Sequence, residues 1–356
     1  MAKLSALAEK YGWKVLGGAL GEGGQAQVVP VERVTEPGGK RYAFKLLSKK
    51  GGPKALERFR AELAALAKLD HPGIVKVVDY PQDFEEQPFY VMEYVEGAKS
   101  LRQRMSQGTN PYYRDALRSI DGFIQLVEAL AECEKARVVH RDLSPANVLV
   151  TEDGRVMLID FGLCHAGEGA RVTLTDEAVG TPHYRPPECS GHSTQPVTIR
   201  ADLYSAGKIL WSMVTNQMAF DREAPVFNVQ LLPNKLPDDR MTWHFHHVFQ
   251  NTIREEPGAR FDSAAALLGT AKLVRRLIVE GYMPLESLAV GVCPVCGLSP
   301  NPMYSSYLKY GKHMDDYVAK ANLPPGRFSI CQFCFHIRFV VGDALAQSLE
   351  DRKKLR

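Results

Sequence analysis

The sequence predicts an α+β chain in three parts: a small β-rich N-terminal lobe, a larger helical lobe and a short cysteine-bearing tail. Three observations predict it. Short β-like runs broken by glycine fill residues 10–50, helical spacing of apolar residues dominates after about residue 98, and four of the seven cysteines form two C-x-x-C pairs near the end. A chain of 356 residues can bury more than one core, and 45% hydrophobic with 24% charged residues marks it as globular rather than disordered. A net charge of +3 is too small to call for a nucleic-acid or membrane partner. No basic-then-apolar leader and no apolar run of bilayer length is present, so the chain is expected in the cytoplasm, off the membrane.

In order, "WKVLGGAL", "AQVVPVERV" and "RYAFKLL" read as strands, and "ALERFRAELAALAKL" (55–69) has the apolar spacing and helix formers of a helix. "IVKVVDY" and "PFYVMEYV" follow as strands. The helical part is interrupted at 148–160 by "VLVTEDGRVMLID", where Asp153-Gly154 signals a hairpin turn. Residues 275–290 read as a junction, with Pro284 and then Gly291 at its end.

Chemistry gathers at four places. "GEGGQAQV" (21–28) lies between strand-like runs, and its glycines let backbone N–H groups approach phosphate oxygens. Alone it is weak; a strand rather than a helix follows it, which excludes a dinucleotide loop, and no Walker lysine pair is present. Lys45 sits mid-strand among apolar neighbours, costly for a bare ammonium unless a partner holds it, and Glu62 on the next helix is the candidate. Taken singly, a snorkelling lysine and a solvated glutamate explain these two residues as well. In "HRDLSPANVLV" (140–150), Asp142 can take a hydroxyl proton, while Asn147 and the Asp160 of "LIDFG" offer hard oxygen ligands suited to Mg²⁺ beside phosphate.

These segments, in this order, resemble the signatures of bacterial-type (eukaryotic-like) serine/threonine protein kinases over residues 11–275. "GEGGQAQV", "YAFK", "RAEL", "VMEYVEG", "HRDLSPAN", "DFG", "GTPHYRPPE", "DLYSAG" and "PGARF" carry the resemblance. It implies a two-lobed kinase fold, N-lobe about 11–97 and C-lobe about 98–275. Beyond it, the junction signals and the cysteine pairs give a linker at 276–290 and a zinc-binding domain at 291–356. The resemblance further implies an enzyme that transfers the γ-phosphate of ATP, with Mg²⁺ or Mn²⁺, to serine or threonine hydroxyls of protein substrates; Thr181 points to those acceptors over tyrosine. By the resemblance Asp142 is the catalytic base, Asn147 and Asp160 are the Mg²⁺ ligands, and Lys45 paired with Glu62 is the phosphate clamp. ATP would lie on Leu20, Gly21, Gly23, Gly24 and Ala26 of the loop. Val28, Ala43 and Leu149 would sandwich its ring, with Met92 as gatekeeper and the backbone of Glu93 and Val95 on the adenine edge. Glu188 with Arg260, and Asp202 beneath the catalytic loop, would be buried braces, and Leu66, His140 and Phe161 a stack joining the lobes.

The chain departs from that pattern at Ala26, in place of a third glycine, and at "PPE" for "APE", both of modest consequence. Ser144 is the larger departure, because these kinases usually carry a lysine there that serves the transferring phosphate; its absence removes up to a few kcal/mol of electrostatic support unless another group compensates. Arg141 before the base implies an activation segment that docks by phosphorylation, with Thr173 and Thr175 as candidate autophosphorylation sites. A nucleotide-binding pseudokinase is the competing class.

Cys293, Cys296, Cys331 and Cys334 form two knuckles separated by 34 residues, a spacing suited to a structural Zn²⁺ in a ribbon or treble-clef fold. "FHIRFVVGDALAQSLEDRKKL" behind the second knuckle is the candidate helix of that unit, His313 and His336 are bystanders, and the "HFHH" cluster (244–247) is expected to be structural in a lower-lobe helix. From residue 291 nine basic residues face five acidic ones with four tyrosines between them. That makes nucleic acid an imaginable partner, with recruitment of a protein partner or bracing of the lobes favoured.

Overall fold

The computed structural model describes residues 2–22, 26–47, 52–81, 87–161, 182–189, 196–220, 236 and 239–281, together with the short strands 304–305, 327–330 and 337–340. A helix not foreseen from the sequence opens the chain: α1 (Ala2–Lys10) buries Leu4, Leu7 and Ala8, one helical face, against the N-lobe sheet. It stops where Gly12 turns at φ 78°.

The sheet takes β1 (Trp13–Val15), β2 (Gly21–Glu22), β3 (Ala26–Arg33), β4 (Arg41–Leu47), β5 (Val77–Asp79) and β6 (Phe89–Glu93), in the order β1-β3-β4-β6-β5 with β2 also on β3. All its pairs are antiparallel. The alternation of "RYAFKLL" explains β4. Phe44 and Leu46 pack toward α1 with Trp13, Val29 and Val31, whereas Ala43 and Leu47 join the core on the opposite face. Lys45 shares that second face, and its register with Val28 and Tyr90 fixes the side toward which its ammonium points. The run "IVKVVDY" pairs as a strand only at Val77–Asp79; Ile74 forms a single bridge to Leu158. Helix α2 (Gly52–Leu66) lies three residues earlier than expected at each end, with Ala55, Phe59, Glu62, Leu63 and Leu66 along its buried face.

In the C-lobe, α3 (Leu101–Ser106) starts in a capping box formed by Ser100 and Gln103. Asp115 caps α4 (Ala116–Lys135), which packs against α5 (Ile199–Thr215) and α7 (Ala264–Val279), with α6 (His246–Thr252) alongside α5. Every residue of α5 except Arg200 is buried, the signature of a helix around which others assemble. Strands β7 (Lys99–Ser100), β8 (Val148–Val150) and β9 (Val156–Leu158) make a small sheet whose β8–β9 turn holds Gly154 at φ 85°, where the sequence placed a hairpin.

Two expectations are corrected. Helix α7 runs through residue 275 to Val279 with Val274 and Leu277 buried, so the lobe does not end where the linker was expected to begin. Within the stretch expected to be a helix, Ile337–Val340 is instead β12, paired with β11 (Arg327–Ile330), which in turn pairs with β10 (Tyr304–Ser305). Alternation of β-branched and aromatic residues in "IRFV" outweighed the helix formers downstream. His244 is buried at the end of a 3-10 segment, Arg240–Phe245, as suits a structural residue. Among the described residues no helix is long and apolar enough to cross a membrane.

Candidate active site

Lys45 is buried, and its Nζ donates to Glu62 Oε1 at 2.6 Å and to Asp160 Oδ1 at 2.8 Å. Tyr90, opposite Lys45 in the β4–β6 register, donates its hydroxyl to the same Glu62 oxygen at 2.9 Å. Burial works to discharge the ammonium, but Tyr90, Asp160 and Glu62 around it outweigh that and hold its pKa well above that of an ordinary lysine. The Lys45 charge in turn holds the Asp160 carboxyl below its usual range. Burial pushes Glu62 upward, which makes the lysine its necessary companion.

Asp160 follows β9 with φ 62°, a left-handed conformation that turns its half-exposed carboxylate into the cleft. The loop from His140 to Asn147 is tied from below by Asp202 at the start of α5, whose two oxygens accept the N–H groups of His140 (2.7 Å) and Arg141 (2.8 Å). His140 lies against Phe161, ring centroids 4.5 Å apart and tilted by 39°, and Phe161 shares a core with Leu66. Asn147 donates from Nδ2 to the Asp142 carbonyl (2.8 Å) and to Asp142 Oδ2 (3.2 Å). Burial, and then the Asp160 charge, raises the Asp142 pKa to about 6; the Asn147 hydrogen bond and the Arg185 charge pull the other way.

On the side expected for adenine, Ala43 and Met92 are register partners, and Val28, Val95 and Leu149 pack partly buried on the same core. The Glu93 N–H is taken by the Lys76 carbonyl (2.9 Å) and the Val95 carbonyl by Ala98 N–H (3.2 Å). Gly21 pairs with Val28, Ala26 begins β3 and Leu20 is exposed, whereas Gly23 and Gly24 lie outside the described residues.

Glu188 and Arg260 form a fully buried bidentate pair at 2.5 and 2.9 Å. Arg141 is also buried, yet none of its three guanidinium nitrogens has a hydrogen-bond partner among the described residues. Thr173, Thr175 and Thr181, like Cys293, Cys296, Cys331 and Cys334, lie outside the described residues. Sequence reasoning missed Tyr90, Lys208 and Arg185. Lys208 was detectable as a lone lysine in an apolar helix. Arg185 carried no local signal, since its charge acts on Asp142 from 43 residues along the chain.

A two-lobed chain with a lysine–glutamate–aspartate cluster facing an aspartate–asparagine loop is the architecture of a phosphotransferase cleft. The protein-kinase-domain family model matches residues 15–256, and the chain belongs to the protein kinase family. It is 32% identical over 262 residues to "Probable serine/threonine-protein kinase SCO3848" of Streptomyces coelicolor, which covers 70% of this chain and 38% of that protein. It is likewise 32% identical over 264 residues to serine/threonine-protein kinase PknA of Mycobacterium tuberculosis, covering 71% of this chain and 59% of PknA. The crystal structure of a point mutant of the Mycobacterium tuberculosis PknI kinase domain superposes with a TM-score of 0.55 at 25% identity, over 74% of this chain and 95% of that one. The chain spans 38% and 27% of the length of the first two curated relatives it matches.

Proposed function

We propose that this chain is an ATP- and Mg²⁺-dependent serine/threonine protein kinase that phosphorylates its own activation segment. The observation that carries the reading is the Lys45 ammonium held between Glu62 and Asp160 at 2.6 and 2.8 Å, with Asp142 and Asn147 hydrogen-bonded beside them. Lys45 binds ATP phosphate oxygens and Glu62 keeps it pointed at them. Glu93 and Val95 meet the adenine edge through backbone groups, and Val28, Ala43, Met92 and Leu149 give the ring its apolar walls. Asp142 orients the acceptor hydroxyl and takes its proton; a pKa of about 6 leaves it ionised at neutral pH yet basic enough to do so.

The donor set fits a hard cation. Asn147 commits its Nδ2 to Asp142, which leaves the amide oxygen free to ligate, and Asp160 gives Lys45 one oxygen while staying half-exposed. Mg²⁺ there would neutralise phosphate charge. Such a site, completed by phosphate oxygens and water, needs no cluster of three or more His, Cys, Asp or Glu side chains, and none exists among the described residues.

Arg141 supports switching by phosphorylation, because a buried guanidinium without a partner is costly until an anion reaches it. Phosphate on Thr173 or Thr175 would supply that anion. The deciding experiment is transfer from ATP with Mg²⁺ by wild type and Asp142→Asn, with the modified residues mapped. Incorporation at Thr173 or Thr175 that disappears in the variant is expected; tight nucleotide binding without transfer would mean a pseudokinase.

For the tail, a structural Zn²⁺ held by Cys293, Cys296, Cys331 and Cys334 is supported by the β11–β12 register. Ile330 pairs with Ile337, and the six residues that separate them in the sequence include Cys331 and Cys334, the spacing a ribbon knuckle would use. One zinc per chain by elemental analysis, lost in Cys331→Ser, is the expected result. The tail then serves to recruit a protein partner.

A further inference from the structure

An ammonium that must turn toward phosphate needs a counter-ion that stays still. Lys45 Nζ is shared between Glu62, whose side chain is 3% exposed, and Asp160, whose side chain is 49% exposed. Phosphate drawing on the ammonium weakens its hold on Glu62, and a buried carboxylate left short of donors is costly. The glutamate escapes that cost if α2, the helix that carries it, swings away from the cleft. The lysine alone does not prevent this.

Tyr90 opposes it. The residue lies on β6 directly opposite Lys45 of β4, so the two side chains rise side by side from one face of the sheet. Its hydroxyl donates to Glu62 Oε1 at 2.9 Å, the same oxygen that takes Lys45 Nζ at 2.6 Å. The ring is fixed as well. Tyr90 is 1% exposed, its centroid is 5.3 Å from that of Phe59, and the Lys45 ammonium stands 5.6 Å from it. Phe59 and Glu62 are three residues apart on α2 and share its buried face. One side chain of β6 thus grips the helix at two points, by a ring contact and by a hydrogen bond, and neither grip involves nucleotide.

We propose that Tyr90 is a positioning residue, which gives Glu62 a second and permanent donor so that Lys45 can turn to phosphate while α2 keeps its place. The hydroxyl touches neither nucleotide nor acceptor; it acts through Glu62 on Lys45. The phosphate-binding arrangement of the lysine is then set before nucleotide arrives, and binding does not have to draw the helix in.

The proposal rests on the reading of Lys45 as the phosphate clamp, and measuring binding beside transfer lets the two fail separately. Full-length wild type, Tyr90→Phe, Glu62→Met and the double variant Tyr90→Phe/Glu62→Met are titrated calorimetrically with the non-hydrolysable β,γ-imido analogue of ATP and Mg²⁺. A parallel titration uses adenosine, which offers Lys45 no phosphate. Phenylalanine keeps the ring against Phe59 and Lys45 and removes one hydrogen bond to an ionised group. Tyr90→Phe is therefore expected to weaken the analogue about tenfold and adenosine by less than about twofold. In the Glu62→Met background, where the group it acts on is gone, loss of the hydroxyl should change analogue affinity by less than about twofold. Analogue binding undiminished in Tyr90→Phe overturns the assignment, as does an equal loss for adenosine or an equal loss in both backgrounds. Should Glu62→Met fail to fold, the comparison of analogue with adenosine in Tyr90→Phe decides alone. Wild type that transfers no phosphate from ATP overturns the kinase reading only, since the binding comparison still decides the role of Tyr90. Wild type that binds the analogue no more tightly than adenosine overturns both.

Discussion

Replacing Asp142 by asparagine should stabilise the protein. The folded carboxyl has its pKa raised from 3.8 to about 6, first by burial and then by the Asp160 charge. A rise of about two units means that the folded state disfavours the ionised form by about 3 kcal/mol relative to the unfolded chain. Because the folded pKa lies above the unfolded one, the cost is complete above pH 6, shrinks as both states take up the proton, and is gone below about pH 4. Asparagine removes the charge but keeps an oxygen to accept the Asn147 Nδ2 hydrogen bond seen at 3.2 Å. At pH 7.5 the variant should therefore melt about 5 °C or more above wild type. The quantity to follow is the difference in unfolding free energy between the two proteins across pH 4–8, in which the titrations they share cancel. A gap that favours the variant at pH 7.5 and closes on acidification is expected. A gap that is absent, reversed or independent of pH would refute the electrostatic account of the site.

Three further outcomes follow from the same geometry. The pH profile of kcat/KM for phosphate transfer should have an acid limb with its midpoint near pH 6, falling tenfold per unit below it as Asp142 takes up its proton. Arg260→Ala leaves Glu188 buried without its bidentate partner and should cost about 3–5 kcal/mol by denaturant unfolding, whereas the exposed Lys76–Asp70 pair should cost under about 1 kcal/mol when broken. Gly207→Ala puts a methyl group into the Thr252 side chain, where α5 and α6 meet, and should lower stability by about 1–3 kcal/mol in thermal melts.

Both lobes were legible in the sequence because their main signals are local. Alternation in "RYAFKLL" gives β4 and the face on which Lys45 lies, and the acidic and amide residues of "HRDLSPAN" fall where the loop needs them. What escaped was long-range or short. Helix α1 has only nine residues, and its Leu4–Leu7–Ala8 stripe acquires meaning from the sheet face it covers. Helix α7 outran its expected end because Val274 and Leu277 continue the buried stripe toward Gly281, whose φ of 70° marks the turn. The Lys208 position depends on carbonyls contributed by other segments, which no window of sequence displays.

Four buried cations illustrate how pairing, rather than burial, assigns a role. Arg260 has a bidentate carboxylate together with three carbonyl oxygens, from Arg200, Arg254 and Glu255. Every donor is satisfied within the fold, so its task is complete once the chain has folded. Lys208 donates to two carbonyls and lies against the faces of Tyr204 and Phe220, a charge used to fix backbone. Lys45 is shared between a buried glutamate and a half-exposed aspartate. Phosphate can displace the second without stranding the ammonium, so the interaction can be exchanged during a reaction cycle. Arg141 has no hydrogen-bond partner for its guanidinium among the described residues, and its backbone is held at φ 67° by the carboxylate of Asp202. The fold bears that cost continuously, and an anion arriving at Arg141 would relieve it. Burial alone would have grouped all four as structural; their partners separate a brace and an anchor from the clamp and the receiver proposed for Lys45 and Arg141.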